Sequence, residues 1–154
     1  MAIAKAKPAP DFLLKLTDGT GFVLSERLTA APLLLFFFKT TCPVCQLASP
    51  YIERMAQSGA KVFGVCQDLE LSKAVRYSNE YRLSFPVMLE QSGYDVSNRY
   101  DIDVVPTLIV IDANGSIVES VECFDRKGYE AVAKSLTVNM PFFPEDNVPS
   151  YRPG

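Results

Sequence analysis

The sequence predicts a three-layer α/β domain in which a mixed β-sheet is flanked by helices on both faces. Segments typical of strands alternate with segments typical of helices along most of the 154 residues. The run Leu33–Phe38 contains only branched and aromatic side chains, which is typical of a strand buried on both faces. The length and the 48% hydrophobic content suffice for one sizeable core, so we expect a single domain.

The first predicted element is an N-terminal hairpin that extends this sheet. Residues 11–16 and 22–24 flank a turn that contains Asp18 and Gly19, residues that favour reversal of the chain. Ser25 follows the hairpin and is expected to cap a short helical turn, because serine is a preferred N-cap residue.

The remaining elements follow from apolar spacing, with glycine and proline marking their ends. In order, they are a strand at Leu33–Phe38, a helix at 43–58, a strand at Lys61–Cys66, a helix at 69–81, an extended segment at 85–89, a short helix at 94–100, a strand at Thr107–Ile111, its hairpin return at 116–123 and a helix at 128–136. In the helix at 69–81, Leu71, Ala74, Val75 and Ser78 share one side.

The domain is predicted to span residues 1–138, followed by a Pro-rich C-terminal strap at residues 139–154. Prolines recur in this last segment and exclude a helix, so an extended chain is expected. Its aromatic residues Phe142, Phe143 and Tyr151 are expected to pack on the domain.

A pair of cysteines stands where the strand Leu33–Phe38 gives way to a helix. Cys42 is a candidate N-cap, since Pro43 suits the first helical position, and Cys45 lies about one turn further along. Free backbone N–H groups and the helix dipole would stabilise a thiolate at Cys42. The spacing therefore predicts a reversible disulfide and redox chemistry.

Other roles for the cysteines stay open at this point. All four could be small core residues, or one pair could be half of a zinc site. A zinc site would need a second Cys or His pair, whereas the chain has no histidine and Cys66 and Cys123 are far apart in sequence. We expect Cys66 and Cys123 to be buried structural thiols, with a resolving role for Cys66 as an alternative, and we expect no cofactor and no metal.

Charge and hydropathy restrict the partners of the chain. The net charge is −3 and no basic run occurs, which argues against nucleic-acid binding. The longest apolar run is far short of the ~20 residues of a membrane span. Residues 1–10 lack the apolar segment of a signal peptide, so we expect a cytoplasmic monomer, or an extracytoplasmic one if a leader was removed.

Three features together resemble the thioredoxin-like superfamily. They are the Cys42-Pro43-Val44-Cys45 helix, Pro50 five residues after Cys45, and Val105-Pro106-Thr107 before an apolar strand. Pro10-Asp11-Phe12, Asp18-Gly19, Ser25-Glu26 and the segment 94–100 are similar, more narrowly, to the redoxin branch, which contains the AhpC/TSA proteins and the TlpA-type thiol-disulfide oxidoreductases. The resemblance covers about residues 8 to 137.

This resemblance implies a thioredoxin fold and a thiol-disulfide oxidoreductase. Cys42 and Cys45 would be its catalytic residues, exchanging their disulfide with protein disulfides or dithiols, with the protein acting as a reductant. The peptide bond before Pro106 would be cis and would lie against the dithiol. Val105, Pro106 and Thr107 would then form the substrate-binding site, where a substrate chain pairs with the Val105 backbone.

The chain also departs from the family. Thr41 stands where these proteins usually have a tryptophan, and Phe36 replaces the buried carboxylate of thioredoxin. The alternative is a peroxiredoxin-type peroxidase with Cys42 as the peroxide-reducing cysteine, but Leu35 and Lys39 occupy the positions of its Pro and its Thr or Ser. A non-catalytic binding module would have little need for both cysteines, and a copper chaperone would lack a histidine ligand.

Overall fold

The computed structural model describes residues 2–4, 6–90 and 93–154, and it has the predicted alternation of strands and helices. The strands are β1 (Leu13–Leu16), β2 (Gly21–Val23), β3 (Leu33–Phe38), β4 (Lys61–Cys66), β5 (Val87–Leu89), β6 (Thr107–Ile111), β7 (Ile117–Glu122), β8 (Phe124–Asp125) and β9 (Tyr151–Arg152). The helices are α1 (Leu24–Arg27), α2 (Pro43–Gln57), α3 (Leu71–Glu80), α4 (Asp95–Arg99) and α5 (Arg126–Leu136).

Within these described ranges, seven strands form one mixed sheet in the order β2-β1-β5-β4-β3-β6-β7. β3 lies near its centre, parallel to β4 and antiparallel to β6. All six β3 residues are buried, as expected for a strand that is covered on both faces. Alternate β3 side chains enter two cores, one with α2, α3 and α5 and the other with α1 and α4. The three-layer thioredoxin-like arrangement is therefore confirmed.

The N-terminal hairpin extends the sheet as predicted. β1 pairs antiparallel with β2 and also with β5, so the hairpin forms one edge of the sheet. Its turn is stabilised by the Thr20 amide, which donates to Asp18 Oδ1 at 2.8 Å.

Two local predictions are wrong. Ser25 lies inside α1 and does not cap it, because the N-cap position is held by Val23. The Ser25 amide instead donates to the Asp11 carboxylate at 2.9 Å. The predicted apolar side of α3 is right at Ala74, which is fully buried, but wrong at two other positions. Leu71 and Val75 are 48% and 38% exposed, whereas Tyr77 is buried, because its ring packs on Phe38.

Residues 139–154, the strap, follow α5 without any helix in this described segment. Phe142 is buried, but Phe143 and Tyr151 stay about half exposed. The division of the chain at residue 138 remains a prediction. Among the described helices none combines the length and the apolar character that crossing a bilayer requires. The monomeric state and the location also stay predictions.

Candidate active site

The Cys42 thiol lies at the start of α2, at the end of the short loop that follows β3. Cys42 is the N-cap residue of α2 and Pro43 occupies the first turn, both as predicted. The Cys45 amide donates to Cys42 Sγ at 3.2 Å, and the Cys42 S–H faces the Val105 carbonyl oxygen at 3.6 Å. These two contacts hold the Cys42 sulfur in place. Because Cys42 is only half-buried, it is still open to a reactant.

Cys45 is fully buried beneath Cys42. Burial raises the pKa of the Cys45 thiol far above its ordinary value, and the neighbouring Cys42 and Cys66 side chains raise it further. The Cys45 thiol therefore stays protonated at neutral pH. The two cysteines, within one helical turn, thus differ sharply in burial, and the buried Cys45 resists ionisation.

The loop that connects β3 to α2 is held from two sides. Thr40 is the shared point: its amide donates to Asp68 Oδ2 at 2.7 Å, and its carbonyl accepts from Gln46 Nε2 at 2.9 Å. Asp68 Oδ2 also accepts from the Cys66 thiol at 3.3 Å. These bonds fix the approach to Cys42 independently of the Cys42 sulfur.

The loop before β6 lies beside the dithiol. The Val105–Pro106 peptide bond is cis, as the resemblance implied. Pro106 O accepts from the Cys123 amide at 2.8 Å, which ties the loop to the end of β7. Thr107 is fully buried and its hydroxyl donates to Val104 O at 2.7 Å, so its side chain supports the loop from inside. Thus the Val105 carbonyl approaches Cys42, while the Pro106 and Thr107 side chains are buried.

Sequence reasoning missed a buried pair under the dithiol. The Ser49 hydroxyl donates to Cys45 O at 2.9 Å and lies 2.6 Å from the Tyr77 hydroxyl. The next residue, Pro50, has no N–H to donate to the preceding turn of α2. The hydrogen bond from the Ser49 hydroxyl to Cys45 O therefore adds a side-chain contact where α2 lacks one backbone donor. A serine directly before a helix-interior proline was the available signal, but its partner Tyr77 comes from α3.

The surface next to Cys42 is polar. Thr41, at the position of the missing tryptophan, is exposed and lines a shallow cleft together with Thr40, Lys73, Arg76, Tyr77 and Glu80. The Lys39 side chain does not line this cleft; its ammonium group lies 5.7 Å from the centre of the Tyr94 ring. A substrate that reaches Cys42 from this side meets mainly hydroxyl and charged groups, and Thr41 offers it no aromatic ring at the position of the missing tryptophan.

The thioredoxin-like fold and a half-exposed cysteine paired with a buried one define a thiol-disulfide oxidoreductase, and this class agrees with the proteins that the chain resembles. Residues 4–135 match the sequence profile of the Redoxin family, and the chain belongs to that family. It is 29% identical to the thiol-disulfide oxidoreductase ResA of Halalkalibacterium halodurans over 123 residues, which are 77% of this chain and 69% of the relative.

Solved structures share the fold at lower identity. One is the thioredoxin domain of a thiol-disulfide oxidoreductase from Bacteroides vulgatus, with a TM-score of 0.76, 22% identity and coverage of 88% of this chain and 99% of that one. Another is the peroxidoxin BcpB from Mycobacterium tuberculosis, with a TM-score of 0.74, 18% identity and coverage of 88% and 97%. The fold is therefore shared with both a thiol-disulfide oxidoreductase and a peroxidoxin.

Proposed function

We propose that the protein reduces disulfides in polypeptide substrates, with Cys42 as the attacking thiol and Cys45 as the resolving thiol. The observation that carries the proposal is the contrast between the two sulfurs. Cys42 is half-buried at a helix N-terminus, where thiolates are stabilised, whereas Cys45 is fully buried and stays protonated.

The exchange proceeds in two balanced steps. The Cys42 thiolate first attacks one sulfur of the substrate disulfide, whose S–S bond breaks, and the released substrate sulfur takes up a proton. Cys45 then loses its proton as it attacks the Cys42 sulfur of the mixed disulfide, and the second substrate sulfur leaves as a thiol. The substrate gains two electrons and the protein keeps the Cys42–Cys45 disulfide, which an external dithiol must reduce again.

The loop of Val105, Pro106 and Thr107 is proposed as the substrate-binding site. The Val105 carbonyl lies 3.6 Å from Cys42 Sγ, so a polypeptide that adds backbone hydrogen bonds there would bring its disulfide to the attacking sulfur. Thr107 would act on the substrate only through the loop, because its hydroxyl bonds to Val104 O.

The direction of electron flow is proposed from the residues between the cysteines. Pro43 and Val44 carry no charge, so the Cys42 thiolate gains stabilisation only from backbone amides and the helix dipole. A reducing couple follows, with a potential nearer about −270 mV than about −120 mV. Equilibration with glutathione measures it, and a potential above roughly −180 mV would contradict the reductant role.

A trapping experiment tests the assignment of the two cysteines. In the Cys45→Ser variant, the mixed disulfide with insulin cannot resolve, so mass spectrometry under non-reducing conditions should find insulin attached at Cys42. The matched Cys42→Ser variant should form no adduct. An adduct at Cys66 or Cys123, or none in either variant, would contradict the proposal. Rapid peroxide consumption by wild-type protein that does not reduce insulin would instead favour the peroxidase alternative.

A further inference from the structure

The strap is anchored to α2 in its first half. Arg54 of α2 donates to Pro141 O at 2.9 Å and forms a two-pronged ion pair with Asp146, at 2.6 and 3.2 Å. The Arg54 guanidinium holds the pKa of the Asp146 carboxyl below its usual value. Phe142 is buried between Tyr51 and Phe124, with ring centroids 4.8 and 5.8 Å away. Residues 141–146 are therefore fixed to the domain by an ion pair and an aromatic contact.

The second half of the strap is held much more weakly. β9 has two residues and pairs antiparallel with the equally short β8. One further bond joins the Arg126 amide to Ser150 O at 2.9 Å, and the Tyr151 side chain is 53% exposed. A ladder of this length contributes little to stability, since the net contribution of each hydrogen bond is small. Residues 150–154 can thus separate from the domain while Phe142 and Asp146 stay in place.

This weakly held segment ends against the loop beside the dithiol. A Cβ built on Gly154 would lie 2.3 Å from Val105 O and 3.0 Å from the Val105 carbonyl carbon. The same built atom would lie 3.5 Å from the Val104 side chain. The Val105 carbonyl oxygen is also the atom that faces the Cys42 thiol. Gly154, which has no side chain, therefore packs onto the backbone position that a substrate chain would use.

We propose that residues 150–154 are a gate that selects substrates at this site. A polypeptide disulfide can pair with the Val105 backbone only after it displaces the gate, whereas a small disulfide reaches the half-buried Cys42 without doing so. The proposal rests on the reductase function proposed above, because it concerns the docking of that reaction's substrate. Before a substrate arrives, this chain's own strap occupies the Val105 backbone position.

Displacing β9 tests the gate. Proline at position 152 cannot donate to the β8–β9 ladder, so Arg152→Pro should release the gate, whereas Arg152→Ala removes the same side chain and keeps the backbone donor. We expect Arg152→Pro to raise kcat/KM for insulin by roughly threefold to tenfold, the factor for the loss of one competing hydrogen bond. The small disulfide DTNB should react with both variants at the wild-type rate, and Arg152→Ala should resemble wild type with insulin.

A second variant should displace the same segment through a steric clash. Gly154→Val places a Cβ within 2.3 Å of a backbone oxygen, so the end of the strap must lift from Val105 without any change in the domain core. It should raise the insulin kcat/KM in the same direction. Hydrogen exchange at the Arg126 amide reports release of the segment in Arg152→Pro, because that amide bonds to Ser150 O.

The outcomes separate this proposal from the function on which it rests. An insulin kcat/KM that is equal to wild type or lower in both Arg152→Pro and Gly154→Val would overturn the gate, and so would an equal increase with DTNB. DTNB turnover by the wild type is the check on the reductase itself. If the wild type turns over DTNB and the insulin rates of the variants are unchanged, only the gate is contradicted. If the wild type does not turn over DTNB, both proposals are contradicted.

Discussion

Two helices of this protein begin with the same hydrogen bond made by different atoms. At α2, the Cys42 sulfur accepts from the amide three residues further on, at 3.2 Å, and at α5 the Asp125 carboxylate accepts from the Gly128 amide, also three residues on, at 3.1 Å. A carboxylate is a preferred N-cap acceptor, whereas a thiol is a weak one. The α5 cap stabilises a helix, and the α2 cap leaves a reactive atom at the positive end of one.

The weak cap of α2 is compensated by bonds that do not use the sulfur. The Cys42 amide donates to Lys39 O at 3.3 Å, and the Gln46 side chain holds Thr40 O. Asp68 holds the Thr40 amide from β4's side of the sheet. The comparison shows that the start of α2 can keep its position while the Cys42 sulfur changes its bonding partner.

The largest effect should come from exchanging the sulfur for a better cap. In Cys42→Ser, the hydroxyl accepts more strongly than a thiol but cannot form a disulfide. Insulin reduction should fall to background, while the free energy of unfolding of the reduced protein stays equal or rises by up to about 1 kcal/mol. Urea unfolding in the presence of a reductant measures the second quantity. A clear loss of stability would mean that the sulfur matters for packing rather than as a cap.

A rise in pH should have a smaller effect, which is a decrease in the free energy of unfolding, because the buried thiols resist ionisation. Burial raises the pKa of Cys45 well above its usual value and the pKa of Cys66 to about 12. Above the unfolded-state thiol pKa of about 8.5, the unfolded chain loses protons that the folded chain keeps, so stability falls as pH rises. The limit is about 1.4 kcal/mol per pH unit for each thiol.

Urea midpoints of reduced and oxidised protein between about pH 8 and 10 test this claim. Oxidation to the Cys42–Cys45 disulfide removes the contribution of Cys45, so the oxidised protein should lose stability less steeply. Cys66→Ala should reduce the slope of the reduced protein in the same way. Equal slopes in the two redox states would contradict the assigned ionisation of Cys45.

The smallest effect should come from the structural cap. Asp125→Ala removes the acceptor for the Gly128 amide and should cost about 1 kcal/mol of stability, with DTNB reduction unchanged. Asp125→Asn, which keeps a capping oxygen, is the matched control and should recover most of that loss. If Asp125→Ala were as stable as wild type, the two caps would not differ in the way described.

The sequence allowed the dithiol end of the molecule to be predicted because its signals are local. An unbroken apolar strand, a cysteine and a proline at the first helical position lie within the eleven residues 33–43 and indicate the N-cap without knowledge of the fold. The Redoxin match over residues 4–135 agrees with the resemblance read from these motifs. The roles of Cys42, Cys45 and the Val105 loop remain proposals.

The features that were missed depend on contacts between distant segments. Leu71 and Val75 satisfy a helical pattern, but the core has room for the Tyr77 ring on Phe38 and leaves both of them exposed. Ser25 is a residue type that favours the N-cap, but Asp11, which accepts from its amide, lies 14 positions earlier and is not indicated by any local pattern. No local pattern relates residue 154 to residue 105, so the path of the strap could not be anticipated beyond its extended form.

The most direct test of the division between the two cysteines is alkylation of the reduced native protein, followed by mass spectrometry of each site. The account predicts that iodoacetamide labels Cys42 first at neutral pH, while Cys45 is labelled only after unfolding, because it is buried and protonated. Urea-unfolded protein, in which both sites should react alike, is the control. Labelling of Cys45 at a rate equal to or above that of Cys42 in the folded protein would contradict the account.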